Sequence, residues 1–157
     1  MKHSSRIVNV LGAALGIALL ARSVSMPAFA ALGGDAASVE NDRAKMKGES
    51  RVTSAGGYTV SEIQLPSGTA VREYVSSEGK VFAVTWSGPS VPDLQQTLGT
   101  YVEQLKAAAA VPHGGHHHLS VEQPGFVAHT GGHMRAWVGQ AYVPGLLPPN
   151  FSVADFK

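Results

Sequence analysis

The chain has 157 residues, 44% of them hydrophobic and 15% charged, with no cysteine and a formal charge of +1. That charge is unevenly placed: Lys2, Arg6 and Arg22 lie in the first 30 residues, which hold no Asp or Glu, and the remainder carries nine Lys plus Arg against eleven Asp plus Glu. Length excludes a multidomain enzyme or a repeat array, the slightly acidic remainder lacks the basic footprint of a nucleic-acid binder, and the lack of cysteine excludes disulfides, thiolate metal sites and thiol nucleophiles.

Residues 1–30 have the three parts of a secretory leader: a positive start, an apolar run from Ile7 to Ala21, and the small residues Ala28-Phe29-Ala30. The run is too short for the roughly 20 residues a helical membrane span needs. Cleavage is expected after Ala30, which leaves a single exported domain, 31–157, periplasmic or secreted, with no membrane-spanning segment.

In that domain the residues from Asp35 or Ser38 to Lys47 favour a short helix stopped by Gly48. Glu49 to Gly57 is polar and reads as a loop. Three strands are predicted next, at Tyr58–Leu65, Thr69–Val75 and Lys80–Trp86. The first shifts its apolar phase between Val60 and Ile63, as a bulge would. The loop Ser76–Gly79 closes a hairpin that sets Val75 against Lys80 and Glu73 against Phe82, giving one core face of Val71, Val75, Phe82, Val84 and Trp86. From Ser90-Val91-Pro92-Asp93 a helix follows. Its stripe of Leu94, Leu98, Tyr101, Val102 and Leu105 suits a sheet face.

His113–His118 is a Gly/His-rich linker. Strands are predicted at Leu119–Gln123, Phe126–His129 and His133–Tyr142, with Thr130-Gly131-Gly132 as the last turn, and 144–157 is a Pro-rich strap. The order of elements implies an α+β fold, an antiparallel sheet of about five to six strands with two helices packed on one face.

Several of these segments together resemble the family of exported bacterial proteins called domain of unknown function 2844. The matching residues are Leu32-Gly33-Gly34, Tyr58 to Glu62, Ser67-Gly68-Thr69 with Val71-Arg72-Glu73-Tyr74, Val81-Phe82 through Trp86 to Gly88-Pro89, Pro92-Asp93-Leu94 with Leu98-Gly99, and Gly131-Gly132-His133-Met134-Arg135. The resemblance implies a bacterial, exported, stand-alone domain and carries no activity. The His113–His118 stretch lies outside that pattern.

Three groups of side chains are candidates for chemistry. All six histidines beyond the leader fall between residues 113 and 133, and neutral imidazole is a common ligand of zinc, copper and nickel. A three-residue turn at 130–132 would set His129 against His133, with His116 and His118 on the linker as further metal ligands. His133, Arg135 and Trp137 at alternate positions would form a stripe able to hold an anionic or sugar-like ligand. Glu73, placed among apolar residues, should be paired or have a raised pKa.

Familiar catalytic motifs are absent. The reading that follows is a non-catalytic binding or accessory module of the cell envelope, for an envelope protein or a small ligand, with no cofactor expected. The alternatives are a His-based metal-binding protein and a hydrolase using Glu73 or His133.

Overall fold

The computed structural model describes residues 32–111 and 118–156. Residues 1–31, His113, His116 and most of the Gly/His-rich stretch lie outside the described residues. One seven-stranded antiparallel sheet organises the chain, in the spatial order β1-β2-β3-β4-β7-β6-β5.

Its first half is a meander of β1 (Glu49–Ala55), β2 (Tyr58–Gln64), β3 (Ala70–Ser76) and β4 (Val81–Gly88), and its second a meander of β5 (His118–Gln123), β6 (Phe126–His133) and β7 (Ala136–Tyr142). Between them a helical segment crosses the sheet. It consists of α2 (Leu94–Leu98), a 3-10 turn (Gly99–Tyr101) and α3 (Val102–Ala109), and α3 packs against β5 at the far edge. The Asp93 carboxylate starts this segment by accepting the backbone N–H groups of Gln95 at 2.9 Å and Gln96 at 3.2 Å. Its buried stripe, Leu98, Val102 and Leu105, meets Val71, Val84, Trp86, Val121, Phe126 and Ala141 of the sheet.

The helix α1 (Ala36–Met46) lies on the same face. It ends at Lys47, which takes the left-handed conformation at φ 52°, and Gly48 follows because a Cβ there would sit 2.4 Å from Ile63 Cγ2. Leu32 and Gly33 hold the start of the domain to α2 and β4, through Leu32 N–H to the Thr97 carbonyl at 3.1 Å and Gly33 N–H to the Val81 carbonyl at 2.8 Å.

The sheet has seven strands, not five to six, because Glu49–Ala55 is an edge strand and no loop. Only its last residue is even half-buried, and its single branched aliphatic residue, Val52, is 66% exposed, so no apolar alternation marks it. Two further expectations change for one reason: the sheet is buried on both faces at its centre. The phase shift in β2 is no bulge, for Val60 and Ile63 serve opposite faces of a regular ladder. The irregularity falls instead between β3 and β4, where Val75 pairs with Val81 and Glu73 with Val84. This turns Phe82 away from the helix-side core, into a second cluster with Tyr74 and Ala83.

That second cluster is covered by residues 144–156, which contain two 3-10 turns, Pro144–Leu146 and Val153–Asp155. Phe151 lies edge-on to Phe82 at 4.9 Å and to Tyr58 at 5.1 Å between ring centroids. Phe156 stands 5.2 Å from Tyr74 and 5.8 Å from Tyr142, which places its ring over β4 between them. The C-terminal segment thus shields the apolar part of this face.

Candidate functional site in the uncovered sheet face

Side chains alternate across a pleated sheet, so residues paired laterally share a face. Tracing the register from edge to edge on the face away from the helices gives one row: Arg51, Glu62, Arg72, Thr85, Gln140, His129 and Ser120. Every strand contributes one member, and every member is polar. The neighbouring row, which includes Val60, Tyr74, Ala83 and Tyr142, is the apolar one beneath the C-terminal segment.

The polar row borders that segment and forms the floor of two depressions on either side of its end. The larger, of about 430 Å³, lies over β4, β7, β6 and β5, and its lining includes Thr85, Ser87, His118, Ser120, His129, Val138, Gln140 and Phe156. Val138 stands 56% exposed in it. The smaller, of about 210 Å³, lies over β1, β2 and β3 between Arg51, Glu62, Arg72, Tyr58, Tyr74 and Asp155. Thr85, at the centre of the row, is buried next to Phe156.

Hydrogen bonds and ion pairs order both halves. Arg72 Nε donates to Glu62 Oε2 at 2.6 Å. Across β5 and β6, His129 Nδ1 lies 2.9 Å from Ser120 Oγ, and its Nε2 is 4.0 Å from Glu122 Oε1. A hydroxyl, an imidazole and a carboxylate in contact resemble the parts of a nucleophilic relay. The chemistry they offer is donation and acceptance of hydrogen bonds.

The sequence-selected residues are dispersed. β6 continues through Gly131 and Gly132 to His133, and the turn is Met134-Arg135, with Arg135 in the left-handed region at φ 68°. His129 therefore faces Gln140, and His133 faces Ala136. Four residues apart on one strand, the two histidines are separated by about 13 Å, too far to share an ion. His118 lines the larger depression beside His129, and His116 lies outside the described residues. Among the described residues no group of three or more His, Cys, Asp or Glu side chains is placed to hold a metal ion.

The stripe of His133, Arg135 and Trp137 is not formed either. His133 is on the open face, Arg135 is in the turn, and Trp137, paired with Gly88 and Gly132, points to the helix side. Glu73 is fully buried on the helix side, opposite Val84, so it contributes to neither depression. Among the described residues neither of its carboxyl oxygens has a hydrogen-bond partner, and burial, with repulsion from Asp42 on α1 as the lesser cause, raises its pKa to about 9.

Of the row, only His129 stands out in the sequence. Its other members are ordinary polar residues near the middles of their strands, and only the strand register brings them together.

The family model described as protein of unknown function (DUF2844) matches residues 28–156. No curated protein and no solved structure matches the chain. Among the described residues no helix is long and apolar enough to cross a membrane.

Proposed function

The chain belongs to that family, and from this premise we propose that it is a non-catalytic binding or accessory module of the cell envelope, exported by its leader, that holds its ligand on the uncovered half of the sheet. One observation carries the reading: beside the C-terminal segment the open face holds a depression of about 430 Å³ that sets Ser120, His129 and Gln140 around the exposed Val138. A sheet face with no ligand to hold needs no concavity, whereas binding sites combine a hollow with a few placed polar groups. The leader pattern of residues 1–30 supports export.

Val138 is the residue to test. It is exposed in the larger depression, so Val138→Trp fills that space without touching the core. Material retained from envelope extracts by the immobilised wild-type chain is expected to be lost, by roughly tenfold or more, with Val138→Trp at unchanged melting temperature. Equal retention by both chains, or no selective retention by the wild type, would overturn the reading.

A further inference from the structure

The sheet ends in two edges, β1 and β5, and they are guarded unequally. α3 packs against β5. β1 has no such cover: every residue from Glu49 to Ser54 is exposed, and Val52, on the helix side, stands 66% exposed. It holds no proline, and its seven pairs with β2 run without a bulge, so two devices that keep an edge from pairing are missing. Its two charged residues, Glu49 and Arg51, have opposite signs.

The turn at the end of β1 settles which backbone groups face outward. Gly56-Gly57 is a two-residue turn between Ala55 and Tyr58, so that pair exchanges both of its backbone hydrogen bonds. Alternation then bonds Glu49, Arg51, Thr53 and Ala55 to β2 and turns the N–H and C=O groups of Ser50, Val52 and Ser54 outward. Among the described residues these outward groups have no hydrogen-bond partner. Three donors and three acceptors in line are a template for another strand.

We propose that the partner is a second copy of this chain, whose β1 pairs antiparallel with this one about a two-fold axis through Val52. In that register Val52 opposes Val52, Ser50 opposes Ser54, Arg51 opposes Thr53 and Glu49 opposes Ala55. The outward groups of each copy meet those of the other. No like charges are opposed, and the two exposed Val52 side chains cover each other. Moving the axis one residue to Arg51 would set two arginines face to face and shorten the overlap. The contact is isologous, so it closes at two copies and joins two seven-stranded sheets into one. It also reaches the smaller depression, which Arg51, Thr53 and Ala55 line from β1. Arg51 and Thr53 of the second copy bound its outer side, and the larger depression stays free in each copy.

Pairing of one short strand makes a small interface, so the dimer is weak and concentration-dependent. Sedimentation equilibrium of the purified chain is expected to give monomer at roughly 10 µM and a growing share of dimer towards roughly 1 mM. Val52→Pro removes an outward N–H and leaves the ladder to β2 intact, and Val52→Lys sets two charges against each other. Each is expected to weaken the dimer roughly tenfold or more, and Glu122→Pro, the matching change on the outer edge of β5, to leave it unchanged. A monomer throughout would overturn the proposal. So would a dimer indifferent to Val52→Lys, a dimer lost with Glu122→Pro, or an association that grows past two copies. The chain has no cysteine, so introduced thiols report the register. Val52→Cys is expected to form a disulfide-linked dimer roughly fivefold or more faster than Ser50→Cys or Ser54→Cys, whose thiols do not face their own copies. Equal rates for the three would overturn the axis at Val52.

Discussion

Raising the pH from 6 to 8 is expected to lower the melting temperature of the wild-type chain by roughly 10 °C, and Glu73→Gln is expected to remove most of that fall. Glu73 is buried with no hydrogen-bond partner for either carboxyl oxygen among the described residues, and its pKa of about 9 lies far above the 4.5 of an exposed glutamate. Between those two values folding takes up a proton. The stability that belongs to the protonated form is complete below about pH 4.5 and is lost progressively as the pH rises towards 9. Each pH unit in that window costs up to about 1.4 kcal/mol. Two units at about 4 °C per kcal/mol give the expected fall.

The glutamine variant keeps the shape and cannot ionise. Its unpartnered amide costs about 1–3 kcal/mol at every pH, so it should melt lower than wild type at pH 6 and change little by pH 8. Glu73→Met removes the polar atoms as well and should melt highest of the three at pH 8. Parallel pH profiles for wild type and Glu73→Gln would show that Glu73 is not the group responsible.

The second large effect is expected at Gly139. A Cβ at this position would lie 2.1 Å from Trp86 Cζ2, 2.2 Å from its Cε2 and 2.8 Å from its Nε1. Trp86 is 1% exposed at the centre of the helix-side core, so the ring has nowhere to retreat. Gly139→Ala should therefore cost about 3 kcal/mol, the upper part of the range for overpacking. Gly56→Ala, where nothing lies within 4 Å, should be close to neutral.

The nearest of these atoms, Cζ2, belongs to the outer ring of the indole, which a phenyl ring lacks. Trp86→Phe should thus be far less harmful in the Gly139→Ala background than alone, and a double-mutant cycle by urea denaturation would measure the coupling. Additive costs would mean that Gly139 is required for another reason. The pair also bears on the site: a residue without a side chain lets Trp86 fill the helix-side core directly behind the larger depression.

How far these features could be read from the sequence depends on whether they are local. The stripe Leu98, Val102, Leu105 and the alternation of Val71, Glu73 and Val75 repeat within a few residues, and both were legible. So was the conflict at Glu73, since a carboxylate in an apolar alternation is wrong for a core whichever strand faces it. The edge strand β1 was not legible, because an edge with both faces in solvent needs no apolar pattern and Glu49–Ala55 has none. The apolar alternation predicts the wrong face for Phe82 because one extra residue in β4 reverses everything on one side of it.

The histidine pairing failed for a related reason. Gly131-Gly132 is a common turn signal, yet the turn fell two residues later at Met134-Arg135, and His129 moved from His133 to Gln140. The polar row lies further still from anything local. Arg51 and Ser120 stand at opposite edges of the sheet, and what joins them is six successive registers.

The central claim is that ligand lies on the open face, in the larger depression. Amide chemical shifts followed while the material eluted from the immobilised chain is titrated into the purified chain test it most directly. The expected result is that the largest changes fall on His118, Ser120, His129, Val138 and Gln140 and their strand neighbours, with α1 and α3 unmoved. Changes centred on the helices, or on the turn at Met134-Arg135, would contradict it.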